Sequence, residues 1–278
     1  MVKPLRKGKL YAKLASMLIT EEKIEQSQVA LPEVSEEIKG MYLSGIHLGY
    51  SQTSRNPKMK PFIYGLRNGV EIFDLEKTKI TLDSVKEFAK KLGKDRKVVL
   101  FVGSKKEAKD LTEKTAKDLG MPFVKERWIG GTLTNFKQIK IRIDYLNDLK
   151  KKRDAGELDK YTKKEKLQIE RQIEKMETYF GGLAENLKAL PSAILVVDSK
   201  HEKISVSEAN QMKIPVVALL NSDCDPTGIK YPVPGNDNSL ASVSYFLNEF
   251  AKAYKEGMLL IQQEPVKTET PNNPVPKA

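Results

Sequence analysis

Apolar positions along the chain change period several times, and each change marks an element. Residues 77–92 place apolar groups at Ile80, Val85, Phe88, Ala89 and Leu92, one face of a helix that closes at Gly93. Residues 97–102 then give a strand whose run from Val98 to Val102 is apolar without a break, as in a strand buried on both faces. A helix over 105–119 ends at Gly120, and the stretch MPFVKE gives a short strand. Past the middle the scheme returns: AILVVD (193–198), a helix over 201–212, IPVVALL (214–220) and a helix over 239–256. Strands alternating with helices predict a parallel sheet with right-handed crossovers, an α/β protein.

Two stretches have other patterns. FIYGLRNGVEIF holds two short β-type runs around Arg67-Asn68-Gly69, and Asn-Gly between apolar runs signals a β-hairpin. From 135 to 180 the apolar residues form narrow stripes: Ile139, Ile143, Leu146 and Leu149, then Ile169, Ile173, Met176 and Phe180. RDAGELDKY separates the stripes, and Thr162-Lys163-Lys164-Glu165 has the spacing of a capping box. This predicts a charged helical hairpin whose stripes bury each other, an attachment device rather than a catalytic one. The expected organisation is an extension over 1–35, an α/β domain over 36–134 and 181–258, the hairpin over 135–180, and a Pro-rich disordered tail over 259–278.

Charge changes the picture more than length does. A formal net charge of +11 favours a polyanionic partner, because lysines and arginines that neutralise phosphates dominate nucleic-acid affinity. The first 20 residues carry Lys3, Arg6, Lys7, Lys9 and Lys13 and no acid, a nucleic-acid-binding arm rather than a presequence rich in Arg and Ser. Cys224 stands alone, so the chain has no internal disulfide or thiolate zinc cluster, in keeping with a reducing compartment. The apolar runs fall far short of the roughly 20 residues that span a bilayer, so a soluble protein without a membrane partner is expected.

Catalytic patterns are absent. The strand-glycine-helix order of FVGSKKEAKD lacks both G-x-G-x-x-G and the Gly-Lys-Ser/Thr phosphate loop, and Lys105 and Lys106 read as a basic helix start facing solvent or RNA. Asp198, Asp223 and Asp225 stand at strand ends, which motivates one alternative, a metal-assisted phosphate-ester enzyme; Asx turns explain the same residues without metal. His47 and His201 form no ligand spacing, and Cys224 has no base beside it. No cofactor is expected.

RNA contacts are better served. SRNPKMK places Arg55, Lys58 and Lys60 on a stretch shaped by Asn56 and Pro57; Arg67 sits on the hairpin turn, and Lys150, Lys151, Lys152 and Arg153 cluster near one end of the helical pair. RWIGGTLTNF holds the only tryptophan, beside a glycine pair.

The stretches GIHLGYSQTSRNPKMKPFIYGLRNGVEIFDLEKT, FVGSKKEA, RWIGGTLTNFK, FGGL, LPSAILVVD, EANQMKIPVVAL, CDP and YPVPGND, in this order, resemble the ribosomal protein S2 family of bacterial or organellar type. The resemblance implies a flavodoxin-like three-layer fold, a protruding coiled-coil hairpin, and a seat between head and body of the small subunit. It further implies contacts with small-subunit ribosomal RNA and neighbouring ribosomal proteins, with retention of the large mRNA-binding protein in many bacteria. The chain is then expected to be a structural constituent of the ribosome, cytoplasmic or organellar, and not a homo-oligomer. In that setting Gly130 and Gly131 turn the backbone into the hairpin, Thr134 or Asn135 caps it, Trp128 wedges beneath, and Arg127 is left for phosphate or a neighbour. Tyr50, Arg55, Leu66 and Ser199 depart from the family pattern, which commonly has a histidine, a tryptophan, an acid and a proline there.

Overall fold

The computed structural model describes residues 35–184, 186, 187 and 189–263; the basic arm read from residues 1–34 and the tail beyond 263 lie outside them. The main compact unit begins at Glu37. After α1 (Glu36–Leu43), three short strands, β1 (Leu48–Ser51), β2 (Ile63–Arg67) and β3 (Val70–Phe73), form an antiparallel sheet in the order β1-β3-β2. The β2–β3 turn is the one expected, with Asn68 at φ 50° and Gly69 at φ 79°. β1 escapes sequence reading because four residues with a glycine inside carry no period. A Cβ on Gly49 would stand 3.2 Å from the Glu71 carbonyl oxygen.

The chain continues as α2 (Leu75–Lys94), β4 (Val99–Val102), α3 (Lys106–Leu119), β5 (Phe123–Val124), α4 (Phe136–Asp154), α5 (Lys163–Ala184), β6 (Ala193–Val197), α6 (Lys203–Gln211), β7 (Val216–Leu220), β8 (Tyr231–Pro234) and α7 (Leu240–Gln263). α2 starts at Leu75 because the Asp74 carboxylate accepts the Glu76 N–H at 3.1 Å. Its buried face is Leu75, Thr78, Leu82, Val85, Ala89 and Leu92; Ile80, expected on that face, is 67% exposed.

The parallel strands lie in the order β5-β4-β6-β7-β8, which within the sheet is 2-1-3-4-5, the flavodoxin-like order. Alternate side chains divide between two cores. Phe101, Leu195, Val217 and Leu219 pack under α2, α3 and α7; Leu100, Val102, Ile194, Val196 and Ala218 pack with Trp128, α6 and the stripes of α4 and α5. β8 is the strand the sequence pattern did not show. Pro232 and Pro234 lack an N–H, and they are accommodated because β8, among the described residues, is an edge strand paired only with β7. On the first face α2 crosses α7 so closely that a Cβ on Gly93 would lie 2.1 Å from the Tyr254 carbonyl oxygen, and one on Gly257 2.1 Å from that of Lys90.

Between β5 and β6 stand the two helices α4 and α5. Ile139, Ile143, Leu146 and Leu149 are buried in one cluster with Ile173, Phe180 and Leu183. The capping box forms: Thr162 N–H donates to Glu165 Oε2 at 3.0 Å, and Glu165 N–H reaches Thr162 Oγ1 at 3.5 Å. α5 sits directly on the outer strand of the sheet, since a Cβ on Gly182 would lie 2.4 Å from the Phe123 carbonyl oxygen.

Candidate nucleic-acid interface

The loop between β1 and β2 lies over the carboxyl end of the parallel sheet, and the residue types in SRNPKMK explain why it holds one shape. Asn56 donates its N–H to the Ser222 carbonyl at 2.8 Å, and its side chain accepts the Lys58 N–H at 3.0 Å. Pro57 opens a 3₁₀ turn, Pro57–Phe62, that drives Met59 fully into the second core. Two of the expected cations are spent in holding this loop. Arg55 pairs with buried Glu71 at 3.0 Å, and Lys58 pairs with Asp225 at 2.8 Å while also donating to Thr227. The ammonium of Lys58, then the Thr227 hydroxyl and N–H, bring the Asp225 carboxyl down to about 2. Lys60 and Arg67 are exposed and make no ion pair among the described residues.

Folds with this strand order hold ligands where the order reverses, here between β4 and β6. That position is filled from within. Lys105, far from facing solvent, has a side chain 15% exposed; its Nζ lies 2.9 Å from Asp237 and 3.6 Å from Asp198. Tyr50 Oη is 3.2 Å away and Asn238 Oδ1 also accepts. Asp237 is fully buried and takes a second bond, 2.6 Å, from Asn221 Nδ2. Burial alone would depress Lys105, yet Asp237 and its neighbours hold it above the ordinary lysine range, so the proton stays on the ammonium. A Cβ at Gly103 would come within 2.4 Å of Thr112 Oγ1, so this strand-to-helix turn closes against its own helix rather than opening a phosphate loop.

The carboxylates considered for metal chemistry each have a lysine instead: Lys105 for Asp198, Lys200 at 2.8 Å for Asp223, and Lys58 for Asp225. Asp198 also caps the turn after β6, accepting from the N–H groups of Lys200 and His201. Sequence reading missed the grouping of Ser104, His201 and Glu202. Ser104 Oγ and Glu202 Oε1 both approach the same imidazole nitrogen, Nδ1, at 3.0 and 3.4 Å, so no relay through the ring exists. Burial, then Asp198 and Asp223, push the Cys224 thiol up to about 12, which leaves it inert as a nucleophile. His47 is stacked on Tyr42 at 4.3 Å, and burial lowers its pKa, which favours the neutral ring.

RWIGGTLTNF is organised around an acid that no local pattern reveals. Glu208 of α6, 8% exposed, accepts from Trp128 Nε1 at 3.1 Å and Gly131 N–H at 2.7 Å through one oxygen. Its other oxygen accepts from Leu133 N–H at 3.0 Å and from Thr134 N–H and Oγ1, both at 3.3 Å. Burial raises this carboxyl, but the Gly131, Trp128, Leu133 and Thr134 donors outweigh it and the net shift is downward. Each buried donor left without an acceptor would cost about 1–3 kcal/mol. Of the glycine pair only Gly131 is demanding, at φ +90°; Gly130 has open space around its Cα. Asn135 is the N-cap of α4 by position, without a side-chain capping bond. Gly130 and Asn135 line an open groove of about 710 Å³ between the helices and this segment, with Arg142 and Lys175 at its side.

Arg127 lies three residues beyond the end of β5, exposed and without an ion pair among the described residues. On the helical pair, Lys150 is taken by Glu177 at 2.7 Å and Arg153 by Asp154 at 3.0 Å, whereas exposed Lys151 and Lys152 have no acid among the described residues.

The fold and this site define a basic α/β protein whose ligand crevice is closed by its own charges, with Lys60, Arg67 and Arg127 exposed on its surface. The family described as Ribosomal protein S2 matches residues 41–257. Small ribosomal subunit protein uS2 of Nitratiruptor sp. is 42% identical over 227 residues, 82% of this chain and 85% of its own. That of Dictyoglomus turgidum is 40% identical over 82% and 92%, and that of Francisella tularensis subsp. novicida 43% identical over 78% and 90%. The chain belongs to the ribosomal protein S2 family, structural components rather than enzymes.

Proposed function

We propose that the protein is a structural constituent of the small ribosomal subunit, binding its ribosomal RNA and neighbouring proteins during translation. The observation that carries this reading is the carboxyl end of the sheet: Lys105 occupies the place of a ligand, while Lys60, Arg67 and Arg127 are left with charge to offer a phosphate backbone. Relatives named as small ribosomal subunit proteins support the same reading. Lys151 and Lys152 would form a second contact, on α4 and α5 acting as a protruding coiled-coil hairpin. Arg55, Lys58, Lys150 and Arg153 would touch RNA only by sharing their present acids, and so act first as braces.

The partners expected beyond RNA are the adjoining small-subunit proteins and, in a bacterium, the large mRNA-binding protein; the setting is a cytoplasmic or an organellar ribosome. Sedimentation of native lysate through sucrose at low and high magnesium, with each fraction probed for this chain, tests the proposal. The chain should travel with the small subunit at low magnesium and with whole ribosomes at high magnesium. Confinement to the top of both gradients would refute it.

A further inference from the structure

We infer that Glu208 is the positioning residue of the helical pair, setting how α4 and α5 stand on the sheet and where Arg127 is held. The inference rests on the proposed partner contacts of that pair, but its structural arm does not depend on them. Five donors from four residues of one short segment converge on a single carboxylate that comes from a helix on the other side of the β5–β6 insertion. No cation pairs with Glu208 among the described residues, so its charge is balanced by backbone and side-chain dipoles alone.

The segment it holds, 128–134, is the root of the insertion. Trp128 and Leu133 are buried on either side of the glycine pair, and the chain enters α4 two residues after the last donor. A carboxylate has four acceptor positions in fixed directions, so it dictates the path of the turn as well as closing it. A neutral amide of the same size has one acceptor oxygen, and its NH₂ would face N–H groups at the other side. Besides this clasp the pair is held by α5 on β5 at Gly182 and by Ile139, Phe180 and Leu183 in the second core, and that apolar packing is non-directional, so the angle of the root falls to Glu208. Because Trp128 follows Arg127 directly, the same loss loosens the guanidinium next to the crevice.

The test uses the full chain with spin labels at Asp148→Cys on α4 and Glu87→Cys on α2, both exposed sites; buried Cys224 stays unlabelled. Pulsed electron resonance on the unaltered background should give one narrow distance distribution. Glu208→Gln should at least double its width, while far-ultraviolet circular dichroism keeps the same helix content. Thr134→Val, which removes one side-chain donor and keeps the shape, and Trp128→Phe, which removes another together with one ring of the indole, should give intermediate widths and serve if Glu208→Gln does not fold. Occupancy of small subunits depleted of this protein should fall several-fold for Glu208→Gln at limiting chain.

Widths equal to the unaltered chain in all three variants would overturn the inference, as would a broadened pair that joins subunits as well as before. Failure of the unaltered chain to join subunits would count against the ribosomal reading alone, with the widths still deciding the role of Glu208.

Discussion

Asp225 shows how a surface-looking acid becomes part of the architecture. Both its oxygens face Lys58 Nζ, at 2.8 and 3.2 Å, and Thr227 N–H adds a bond of 2.8 Å. Each partner is about half exposed, so the pair itself contributes under about 1 kcal/mol, and its effect is to fix the loop. The folded carboxyl titrates near 2, below its ordinary value of about 3.9. Its stabilisation is therefore complete above the ordinary value and fades as pH falls toward 2. Lys58→Ala should return the midpoint most of the way toward the ordinary range, as followed by NMR of the side-chain carboxyl carbon. A midpoint still near 2 would show that the lysine is not the cause.

Elements meet through glycines where backbone must touch backbone, and the FGGL stretch offers a comparison within one helix turn. On Gly181 a Cβ would meet only the flexible Glu177 side chain, at 3.3 Å; on Gly182 it would collide with the Phe123 carbonyl. Alanine is the better helix former by about 1 kcal/mol, so Gly181→Ala should be neutral or stabilising by up to that amount. Gly182→Ala should lose about 1–3 kcal/mol, since the clash outweighs the propensity gain and α5 must lift from β5. Urea denaturation of the two variants measures the difference; equal stabilities would place the α5–β5 contact elsewhere.

For the whole molecule, the excess of 11 positive charges matters only through cations that no internal acid has claimed. Each phosphate contact contributes about 0.7–0.9 to the slope of log affinity against log salt. Removing Lys60, Arg67 and Arg127 together should lower that slope by about 2–3, measured by fluorescence anisotropy on small-subunit RNA between about 50 and 200 mM salt. Arg153→Ala, which removes a cation already paired with Asp154, should change it less. An unchanged slope in the triple variant would move the RNA-facing surface away from this end of the sheet.

Much of this protein was written in local order. Continuous apolar runs, the Asn-Gly turn, the twin stripes of the helical pair and the Thr162–Glu165 box depend on residues within a few positions of one another, where period and capping operate. The α/β class followed from these, and the motif order pointed to the family. Tertiary structure decided what depends on distant partners. β8, with its two prolines, became a strand because it lies at an edge; Lys105 turned inward because Asp237, 132 positions away, is buried with no other cation beside it among the described residues. Glu208, one acid among several on the chain, acquired its role because the fold brings residues 128–134 to it from 74 to 80 positions away. A hydrogen bond or ion pair carries no trace in sequence spacing once its partners come from different elements, and that is why the closed crevice and the root of the helical pair were visible only in the fold.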